Sequence, residues 1–568
     1  MNKKLLICIS ILFVSCVALA QRAQSFESAT DAVNNMGVGW NLGNTLDAND
    51  ATQTWTTTAQ HETCWGQPVT KPELMKMMKE AGFGAIRVPV TWYQEMDADG
   101  KVNEAWMNRV KEVVDYVIDN GMYCILNVHH DTGADGGSFK SWIKASSTSY
   151  TSNEKKYKYL WKQIAETFKD YDQHLLFEAY NEMLDEKSTW NEPVDKTDGY
   201  QAINDYAKSF VSTVRATGGN NLNRNLVINT YAASNSANAM QQLELPEDKG
   251  HIIFQIHSYP DWKSEGNAKS RISNLINTIK KNLQNRAPVI IGEYATLTTE
   301  VSPEIDYYDT DRELALYAMD YFIKKTKAAG IGTFYWMGLS DGLYRSEPSF
   351  NQPDLAETII KAYYGSTDGY KFPTHDYTKE TVIFEGEKVL EWGTGVTVQS
   401  SILESIGSEV EVKITYQLDY TDYADIQFMY NKGGWTKFTD GLSIDGKAIS
   451  GADLDPSSFY DISSGDTKTS TLTFNAAAYE LVTKNDLVIQ GHGVIVTKVT
   501  VGLPTTVIPG DANGDGLVNV TDIVATVNYI MEKPVDSFNK EAADLNGDGE
   551  INVTDIVMMV SIIMDGGN

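Results

Sequence analysis

Short apolar runs alternate with longer amphipathic segments between residues 21 and 372. Eight of the runs read as buried strands, at 38–42, 84–90, 123–129, 175–180, 226–229, 252–256, 288–292 and 332–336. Segments with helical periodicity lie between them, for example 104–120, 152–169 and 311–329. Alternating strands and helices indicate parallel α/β architecture, and eight strands favour a closed (β/α)8 TIM barrel over an open sheet. An open doubly wound sheet usually begins with a phosphate-binding glycine turn, and the chain has none.

The pattern changes after residue 372. Between 373 and 503, β-branched and aromatic residues alternate with polar ones, for example at 409–418 and 494–501, and turn residues recur at short intervals. This is typical of a β-sandwich. A short linker at 504–509 contains Pro504 and Pro509, and a small repeat region follows at 510–568.

The first twenty residues read as an export signal. Lys3 and Lys4 precede an apolar run at 5–17, and Ala18-Leu19-Ala20 is a small-x-small cleavage pattern. We therefore expect residues 1–20 to be removed and the protein to be secreted. A weaker lipoprotein-like pattern ends at Cys16, which would leave a lipidated cysteine at the cell surface. No run in the chain approaches the roughly 20 apolar residues of a spanning helix.

The chain is strongly acidic, with 47 Lys and Arg against 76 Asp and Glu and a net charge of −29 over 568 residues. This charge repels phosphate backbones, so nucleic acid is excluded as a partner. Cys64 and Cys124 follow the predicted cleavage point. So few cysteines in a large exported protein predict a fold held by its core and two free thiols, although a pair between them stays open.

Part of the acidity lies in two nearly identical segments, 511–522 and 544–555, which are 33 residues apart. Oxygen-bearing side chains at positions 1, 3, 5, 9 and 12, with glycine at position 6, match the requirements of a calcium loop. We predict two calcium ions, with the position-9 asparagines binding directly or through water and the position-7 residues using their carbonyls. The predicted ligands are Asp511, Asn513, Asp515, Leu517, Asn519 and Asp522, then Asp544, Asn546, Asp548, Glu550, Asn552 and Asp555.

Each loop has Asp at position 12 and is followed by one predicted helix, at 523–531 and 556–564. This duplicate resembles a dockerin, the module that attaches plant-wall enzymes to scaffold proteins, over residues 510–564. The resemblance implies a cohesin-type scaffold or cell-surface protein as partner. Loop positions 10 and 11 face the partner in dockerins, and here they are Val520-Thr521 and Val553-Thr554.

Two predicted barrel strands end on a glutamate, Glu182 after Asn181 and Glu293 after Gly292. The carboxyl ends of barrel strands form the active-site face, so we expect both carboxylates in one cleft. Glycoside hydrolysis requires at least two carboxylates that flank the sugar bond. The alternative for either residue is an ion pair at the barrel mouth.

An ordered set of motifs surrounds these glutamates and resembles glycoside hydrolase family 5 over residues 31–364. They are Gly-Trp-Asn-Leu-Gly-Asn-Thr-Leu-Asp at 39–47, Glu-Thr-Cys-Trp-Gly at 62–66, Ile-Arg-Val-Pro-Val-Thr-Trp at 86–92, Asn-Val-His-His-Asp at 127–131, Asn-Glu at 181–182, His-Ser-Tyr at 257–259, Gly-Glu at 292–293 and Trp336. The first two look most like the fourth subfamily, mainly endo-β-1,4-glucanases. The resemblance implies a retaining enzyme without a catalytic cofactor, with Glu182 as acid/base and Glu293 as nucleophile.

The implied substrate is a β-1,4-linked glucan, with xyloglucan, mixed-linkage glucan, xylan or mannan as alternatives. A non-catalytic glycan-binding protein is an alternative of another class. It is disfavoured because Glu182, Glu293, Arg87 and Tyr259 are all present.

The other motif residues make physical sense in these roles. Arg87 and Tyr259 are expected to keep Glu293 ionised by charge and hydrogen bonding, and His257 to tune the carboxylate pair. The remaining supporting or substrate-binding residues are Asn41, His129, His130, Asn181, expected at the sugar 2-hydroxyl, and Trp336, a platform for a sugar ring. Adjacent histidines can share a zinc ion, but no third ligand at suitable spacing is evident, so hydrogen bonding to sugar hydroxyls fits His129 and His130 better.

Two features leave alternatives open. The residues after Trp336 are Met-Gly-Leu-Ser-Asp, where many family members carry an acidic or amide residue close to the tryptophan, so subsite contacts are expected to differ. The predicted sandwich contains Trp392, Trp435 and several tyrosines. It is either a carbohydrate-binding module or a structural spacer, because sequence does not separate stacking residues from core residues.

Overall fold

The computed structural model describes residues 26–564, except 249, 378, 394, 432–433, 505–507, 532 and 534–537. The chain divides into two compact units between His375 and Asp376. The predicted signal peptide and Cys16 lie outside the described residues. Among the described residues, no helix is long and apolar enough to cross a membrane.

The first unit is built on a closed barrel of parallel strands. The strands are β1 Val38–Asn41, β2 Ala85–Val88, β3 Tyr123–Asn127, β4 Leu175–Glu178, β5 Leu226–Asn229, β6 Ile252–His257, β7 Val289–Tyr294 and β8 Ile331–Tyr335. Each pairs with its neighbour in sequence, and β1 closes the barrel against β8. All eight predicted strands are confirmed, as is the TIM-barrel class.

Helices between the strands surround the barrel. They are α1 Ala29–Asn35, α2 Thr58–Glu62, α3 Pro72–Glu80, α4 Glu104–Asp119, α5 Ser147–Thr167, α6 Lys196–Ala216, α7 Ala237–Gln242, α8 Glu265–Asn282, α9 Tyr307–Thr310, α10 Arg312–Ala329, α11 Leu343–Ser346 and α12 Pro353–Tyr364. Helix α5 begins five residues before its predicted start because Ser146 caps it by accepting a hydrogen bond from the Ser149 amide.

The barrel interior changes from apolar to polar along the strands. Side chains two residues apart point the same way, so Ile125, Leu176 and Val227 lie one layer below Asn127, Glu178 and Asn229. At the apolar end, Gly39 leaves room for the Phe334 ring, since a Cβ on Gly39 would lie 2.2 Å from that ring. The polar end is the carboxyl end of the strands.

Cys124 is buried in β3 and Cys64 is partly buried, and both are free thiols. This is the arrangement expected from the small number of cysteines.

The second unit contains two antiparallel sheets. Their strands are β9 Thr381–Val389, β10 Val396–Val398, β11 Glu411–Leu418, β12 Asp425–Asn431, β13 Trp435–Lys437, β14 Leu442–Ile444, β15 Lys447–Ala448, β16 Asp453–Leu454, β17 Thr467–Phe474, β18 Leu487–His492 and β19 Val494–Gly502. One sheet has the order β9-β19-β11-β17-β14-β15, and the other β10-β18-β12-β13, with β16 also paired to β12. Helices α13 Ser400–Ile406, α14 Pro456–Tyr460 and α15 Ala476–Lys484 connect strands of this region.

The two repeat loops precede helices α16 Val520–Ile530 and α18 Val553–Met564, with the short helix α17 Lys540–Ala543 between them. The predicted starts at 523 and 556 are wrong by three residues. Asn519 caps α16 by accepting from the Thr521 amide, and Asn552 accepts likewise from the Thr554 amide at 2.8 Å. Each cap lets the helix begin inside the repeat. Ala512, Ala543 and Met559 form a small core between the repeats.

Candidate active site

Arg87 lies at the centre of the polar end of the barrel and is fully buried. Its Nε and Nη2 donate to Glu178 at 2.7 and 2.8 Å, and its Nη1 donates to Glu293 Oε1 at 2.7 Å. Two further bonds run to Oδ1 of Asn41 at 2.9 Å and Oδ1 of Asn181 at 2.7 Å. All five guanidinium N–H donors are therefore used, which determines the orientation of each partner.

Glu178 belongs to this buried cluster and was not predicted from the sequence. Burial works to raise the pKa of this carboxyl, but the charge and hydrogen bonds of Arg87 outweigh burial and hold the pKa below its usual value. The available signal was a charged residue inside the otherwise apolar run of β4. Buried acidic side chains are rare unless they are paired.

Glu293 lies near the end of β7, and each of its carboxylate oxygens has a hydrogen-bond donor. Tyr259 donates its hydroxyl to Oε2 at 2.8 Å, while Arg87 holds Oε1. Burial raises the pKa of Glu293, and His257, Arg87 and the Tyr259 hydrogen bond oppose that rise. The contacts predicted for Arg87 and Tyr259 are present, and they counter part of the rise in the pKa of Glu293 that burial causes.

Glu182 faces Glu293 across the site, and its side chain is 21% exposed. Burial raises the pKa of Glu182 to about 7, against the lowering effect of Arg87. One oxygen from each of these two carboxylates and one ring nitrogen of His257 all lie within 4.8 Å of one another. The two glutamates predicted at strand ends are thus brought into one site.

His257 bridges this pair. Its Nδ1 lies 2.8 Å from Glu182 Oε1 and 3.4 Å from Glu293 Oε2. Burial lowers the pKa of His257 to about 4, so the ring is neutral near pH 7. A neutral imidazole adds a hydrogen bond to the pair without adding a positive charge.

His129 and Trp336 form one wall of the site. Their rings are stacked, with centroids 5.8 Å apart and planes 6° apart. The Trp336 ring packs against Gly43, where a Cβ would approach Cη2 to 2.8 Å. This close approach needs glycine at position 43, a requirement that the sequence analysis did not identify.

The two histidines have neighbours that sequence spacing did not reveal. His129 Nδ1 lies 3.0 Å from Asn127 Nδ2, and Asn181 Nδ2 lies 3.3 Å from His129 Nε2. Burial lowers the pKa of both His129 and His130, so both rings are neutral.

Sequence spacing indicates no third metal ligand for the two histidines, but the structure brings Asp47 to them. Asp47, His129 and His130 each offer a ligand atom within 4.8 Å of the others, and among the described residues Asp47 Oδ2 is buried without a hydrogen-bond partner. Asp47 follows β1 and is distant in sequence, so only the closure of the barrel brings it here. Both ring nitrogens of His129 already contact the amides of Asn127 and Asn181.

The loop after β8, whose residues after Trp336 differ from the common family pattern, makes hydrogen bonds to other parts of the barrel. Trp40 Nε1 donates to the Met337 carbonyl at 3.3 Å, and Asp341 accepts from the Gln67 side chain. Asp341 therefore has a partner within the protein, next to the site wall formed by Trp336.

The two repeat loops have similar internal hydrogen bonding. In the first, Asp511 accepts from the amides of Gly514 and Gly516 at 2.9 and 2.8 Å, and Asp522 accepts from those of Asn513 and Asn519 at 3.0 and 2.8 Å. In the second, Asp544 accepts from the Gly549 amide at 2.8 Å, and Asp555 accepts from those of Asn546 and Asn552 at 3.4 and 2.9 Å. The position-1 and position-12 carboxylates are thereby oriented by the loop backbone, and the oxygen-rich donor set fits calcium.

Both the barrel and the repeats are similar to known proteins. Residues 49–341 match the family model for cellulase of glycosyl hydrolase family 5, and residues 509–564 match the dockerin type I domain. Endoglucanase A of Clostridium longisporum is 34% identical over 381 residues, which cover 62% of this chain and 69% of that protein.

Two solved structures are also similar. A GH5-4 broad specificity endoglucanase from an uncultured bacterium shares 57% identity, with a TM-score of 0.59 over 60% of this chain and 98% of that one. A family 5 enzyme from Prevotella bryantii, solved in complex with a xyloglucan tetradecasaccharide, shares 43% identity, with a TM-score of 0.55 over 59% of this chain and 99% of that one.

Proposed function

The chain belongs to glycosyl hydrolase family 5, and from that premise we propose that it is a retaining endo-β-1,4-glucanase that hydrolyses internal bonds of plant-wall β-glucans. The observation that carries the proposal is the distance between the two carboxylates. Nearest oxygens of Glu182 and Glu293 lie within 4.8 Å. Retaining glycosidases hold their carboxyl groups about 5–5.5 Å apart, whereas inverting enzymes need about 6.5–9.5 Å to admit a water molecule.

The surroundings of the two carboxylates support different roles. Glu293 accepts hydrogen bonds from a guanidinium and a phenol, both of which stabilise its ionised form. Within the described part of the chain, Glu182 has no such donor pair, and burial raises its pKa to about 7. Burial raises the pKa of Glu293 as well, but its two donors favour the ionised form that a nucleophile requires, whereas a carboxyl still protonated near neutral pH suits a general acid.

The reaction then has two steps. Glu293 attacks the anomeric carbon while Glu182 protonates the leaving glycosidic oxygen, which gives a covalent glycosyl-enzyme and frees one end of the chain. In the second step, ionised Glu182 takes a proton from water, and that water displaces Glu293 from the anomeric carbon. The double displacement keeps the configuration of the sugar.

The remaining residues position the substrate. Asn181 is oriented by Arg87 and is suited to bond the sugar 2-hydroxyl, a contact that strengthens in the transition state. Trp336 offers an apolar platform, and His130, which is neutral and partly exposed, can donate to a sugar hydroxyl. Both ring nitrogens of His129 are already engaged, so its proposed role is to pack behind the Trp336 ring. Asn41 bonds to Arg87 and to the carbonyl of Gly292, so its proposed role is to support the guanidinium.

The preferred polymer is a β-1,4-glucan in this proposal, with xyloglucan as the second candidate. The xyloglucan candidate is favoured by one observation: the similar Prevotella bryantii enzyme was solved with a xyloglucan oligosaccharide.

The C-terminal repeats are proposed to bind calcium and a protein partner. Dockerin type I domains bind calcium, and we assign one ion to each loop, at 511–522 and 544–555. The expected partner is a cohesin-type domain of a scaffold or cell-surface protein. Export through the signal at residues 1–20 would bring the enzyme to that partner and to its polymer.

A reducing-sugar assay over a panel of soluble polysaccharides tests the function directly. We expect release of reducing ends from β-1,4-glucans, and NMR of the first product should show the β-anomer. An α-anomer as first product would refute the retaining mechanism, and no hydrolysis of any β-1,4-glycan would refute the activity.

A further inference from the structure

The outward face of the sheet β10-β18-β12-β13 differs from an ordinary solvated sheet surface. Alternate side chains of β12 and β18, such as Ile426, Phe428 and Ile489, are buried and apolar and form the sandwich core. The side chains between them point to the opposite face. They are Gln427, Met429, Val488 and Gln490, and all four are almost completely shielded from solvent.

The shielded outward residues form the centre of this face. Residues on the edge strands that share it, such as Thr397, opposite Val488, and Lys437, opposite Met429, are exposed. We call this face the glutamine trough, defined by its shielded floor Gln427, Met429, Val488 and Gln490 and by the three aromatic residues described next.

Trp392, Tyr423 and Trp435 border this trough and are 47%, 46% and 36% exposed. Trp435 pairs with Asn431 on the β13 edge. Trp392 precedes Gly393, whose amide donates to Gln490 Oε1 at 3.0 Å, on the opposite edge. The Tyr423 ring lies 4.5 Å from that of His492, which continues the outward series of β18 at one end.

The floor is polar where a sheet surface so well shielded is usually apolar. Gln490 Nε2 donates to Gln427 Oε1 at 3.0 Å, so the two amides are joined in a row across the sheet. Shielded amides cost free energy unless they are hydrogen-bonded. Nearby, Asp425 Oδ1 is buried without a hydrogen-bond partner among the described residues. The face thus places a fixed row of amides next to exposed rings.

The charges on this face do not favour a charged partner. Lys437 pairs with Asp453 at 3.3 Å. On the strands of the other sheet, the exposed large apolar side chains are aliphatic. Among the described residues they are Val382 and Val389 on β9. Exposed aromatic rings therefore concentrate at the glutamine trough.

We propose that the glutamine trough is a second glycan-binding site that holds a single neutral β-linked glucan chain. Flat faces of Trp392 and Trp435 can stack on sugar rings, while the bonded amides of Gln427 and Gln490 fix the sheet surface between them. The choice of polymer rests on the proposed function, but the site itself does not. Its role is to keep the enzyme on polymer between cleavage events.

The test uses the full chain with Glu293→Ala and Trp336→Ala, which prevents hydrolysis and weakens retention by the barrel. Affinity electrophoresis in gels containing xyloglucan, mixed-linkage β-glucan or hydroxyethylcellulose measures retention. Adding Trp392→Ala and Trp435→Ala should weaken retention in the best polymer about tenfold or more, since each lost ring contact is worth up to about tenfold. The matched control, Val382→Ala with Val389→Ala, removes exposed apolar side chains from the other sheet and should change nothing.

Thermal unfolding of both double variants checks that the sandwich is intact. Trp435→Phe, used in place of Trp435→Ala, should restore most retention because it restores a ring. Equal retention of the tryptophan and valine variants, or no retention of the parent in any gel, overturns the trough assignment. The proposed function is judged separately, since the tryptophan pair in an otherwise unaltered chain should leave hydrolysis of short soluble oligosaccharides unchanged. Ring-dependent retention without any hydrolysis by the unaltered chain would support the trough and refute the proposed function.

Discussion

Arg87 Nη1 and Glu293 Oε1 are 2.7 Å apart in the barrel, and the same guanidinium forms a two-point pair with Glu178. One cation therefore holds two acidic side chains of different function. In the proposed mechanism Glu293 faces the reacting sugar, and Glu178 positions the Arg87 guanidinium that pairs with Glu293.

Glu178→Gln tests this relationship. The charge of Glu178 helps to raise the pKa of Glu182, so its removal should lower that pKa and move the alkaline limb of kcat/KM to lower pH. We also expect kcat to fall about tenfold or more, because Arg87 loses its charged anchor. A pH–rate profile measures both. An unshifted alkaline limb would contradict the electrostatic role of Glu178, even if the protein were less stable.

The alkaline limb itself should report Glu182. The proposed acid works only while protonated, so kcat/KM should fall above about pH 7 as this group, whose pKa is raised by burial to about 7, loses its proton. Glu182→Gln should remove that limb for an aryl glycoside with a good leaving group, which needs no proton. Persistence of the limb in this variant would assign it to another residue.

Tyr259→Phe removes the hydroxyl that donates to Glu293 at 2.8 Å and keeps the ring. A hydrogen bond to a charged group contributes about 1.5–3 kcal/mol, so we expect kcat/KM to fall roughly 10- to 100-fold. Steady-state kinetics measures the loss. Tyr307→Phe is the matched control, since Tyr307 bonds to Asp261 rather than to the carboxylate pair; equal losses in both variants would indicate a general structural effect.

Gly43→Ala should disturb the sugar platform. The new Cβ would meet Trp336 Cη2 at 2.8 Å and force the ring to move. We expect KM for polymer to rise several-fold with little change in the melting temperature. Gly266→Ala in α8 has open space at its Cβ and serves as control. Normal kinetics in Gly43→Ala would show that the position of the Trp336 ring is not important for substrate binding.

Calcium removal should unfold the repeats and spare the barrel. Metal binding is coupled to folding in small sites of this kind, so a chelator should abolish the unfolding transition of residues 510–564 in calorimetry of the full chain and leave glucan hydrolysis intact. Titration calorimetry should give two calcium ions per chain and one for Asp544→Ala. A stoichiometry of one in the unaltered chain would refute the two-site assignment.

The strands and the paired glutamates were predictable because their signals are local. A strand shielded on both faces reads as an apolar run, and all eight were located to within two residues, whereas the start of α5 depended on the cap at Ser146. Glu178 was missed because the sequence of an apolar run does not reveal which residue a charged side chain pairs with or which way that side chain points. Asp47 was missed as a neighbour of His129 and His130 because the contact crosses the barrel.

The sequence by itself determined the alternation of elements, the two glutamates at strand ends and the spacing of oxygen ligands in the repeats, since each depends on residues close together in the chain. Only the tertiary structure decided that Arg87 joins Glu178 to Glu293, that burial raises the pKa of Glu182, and that Trp392 and Trp435 are exposed beside the glutamine trough. Distances and burial depend on segments far apart in sequence. They exist only once the barrel is closed and the sheets are packed.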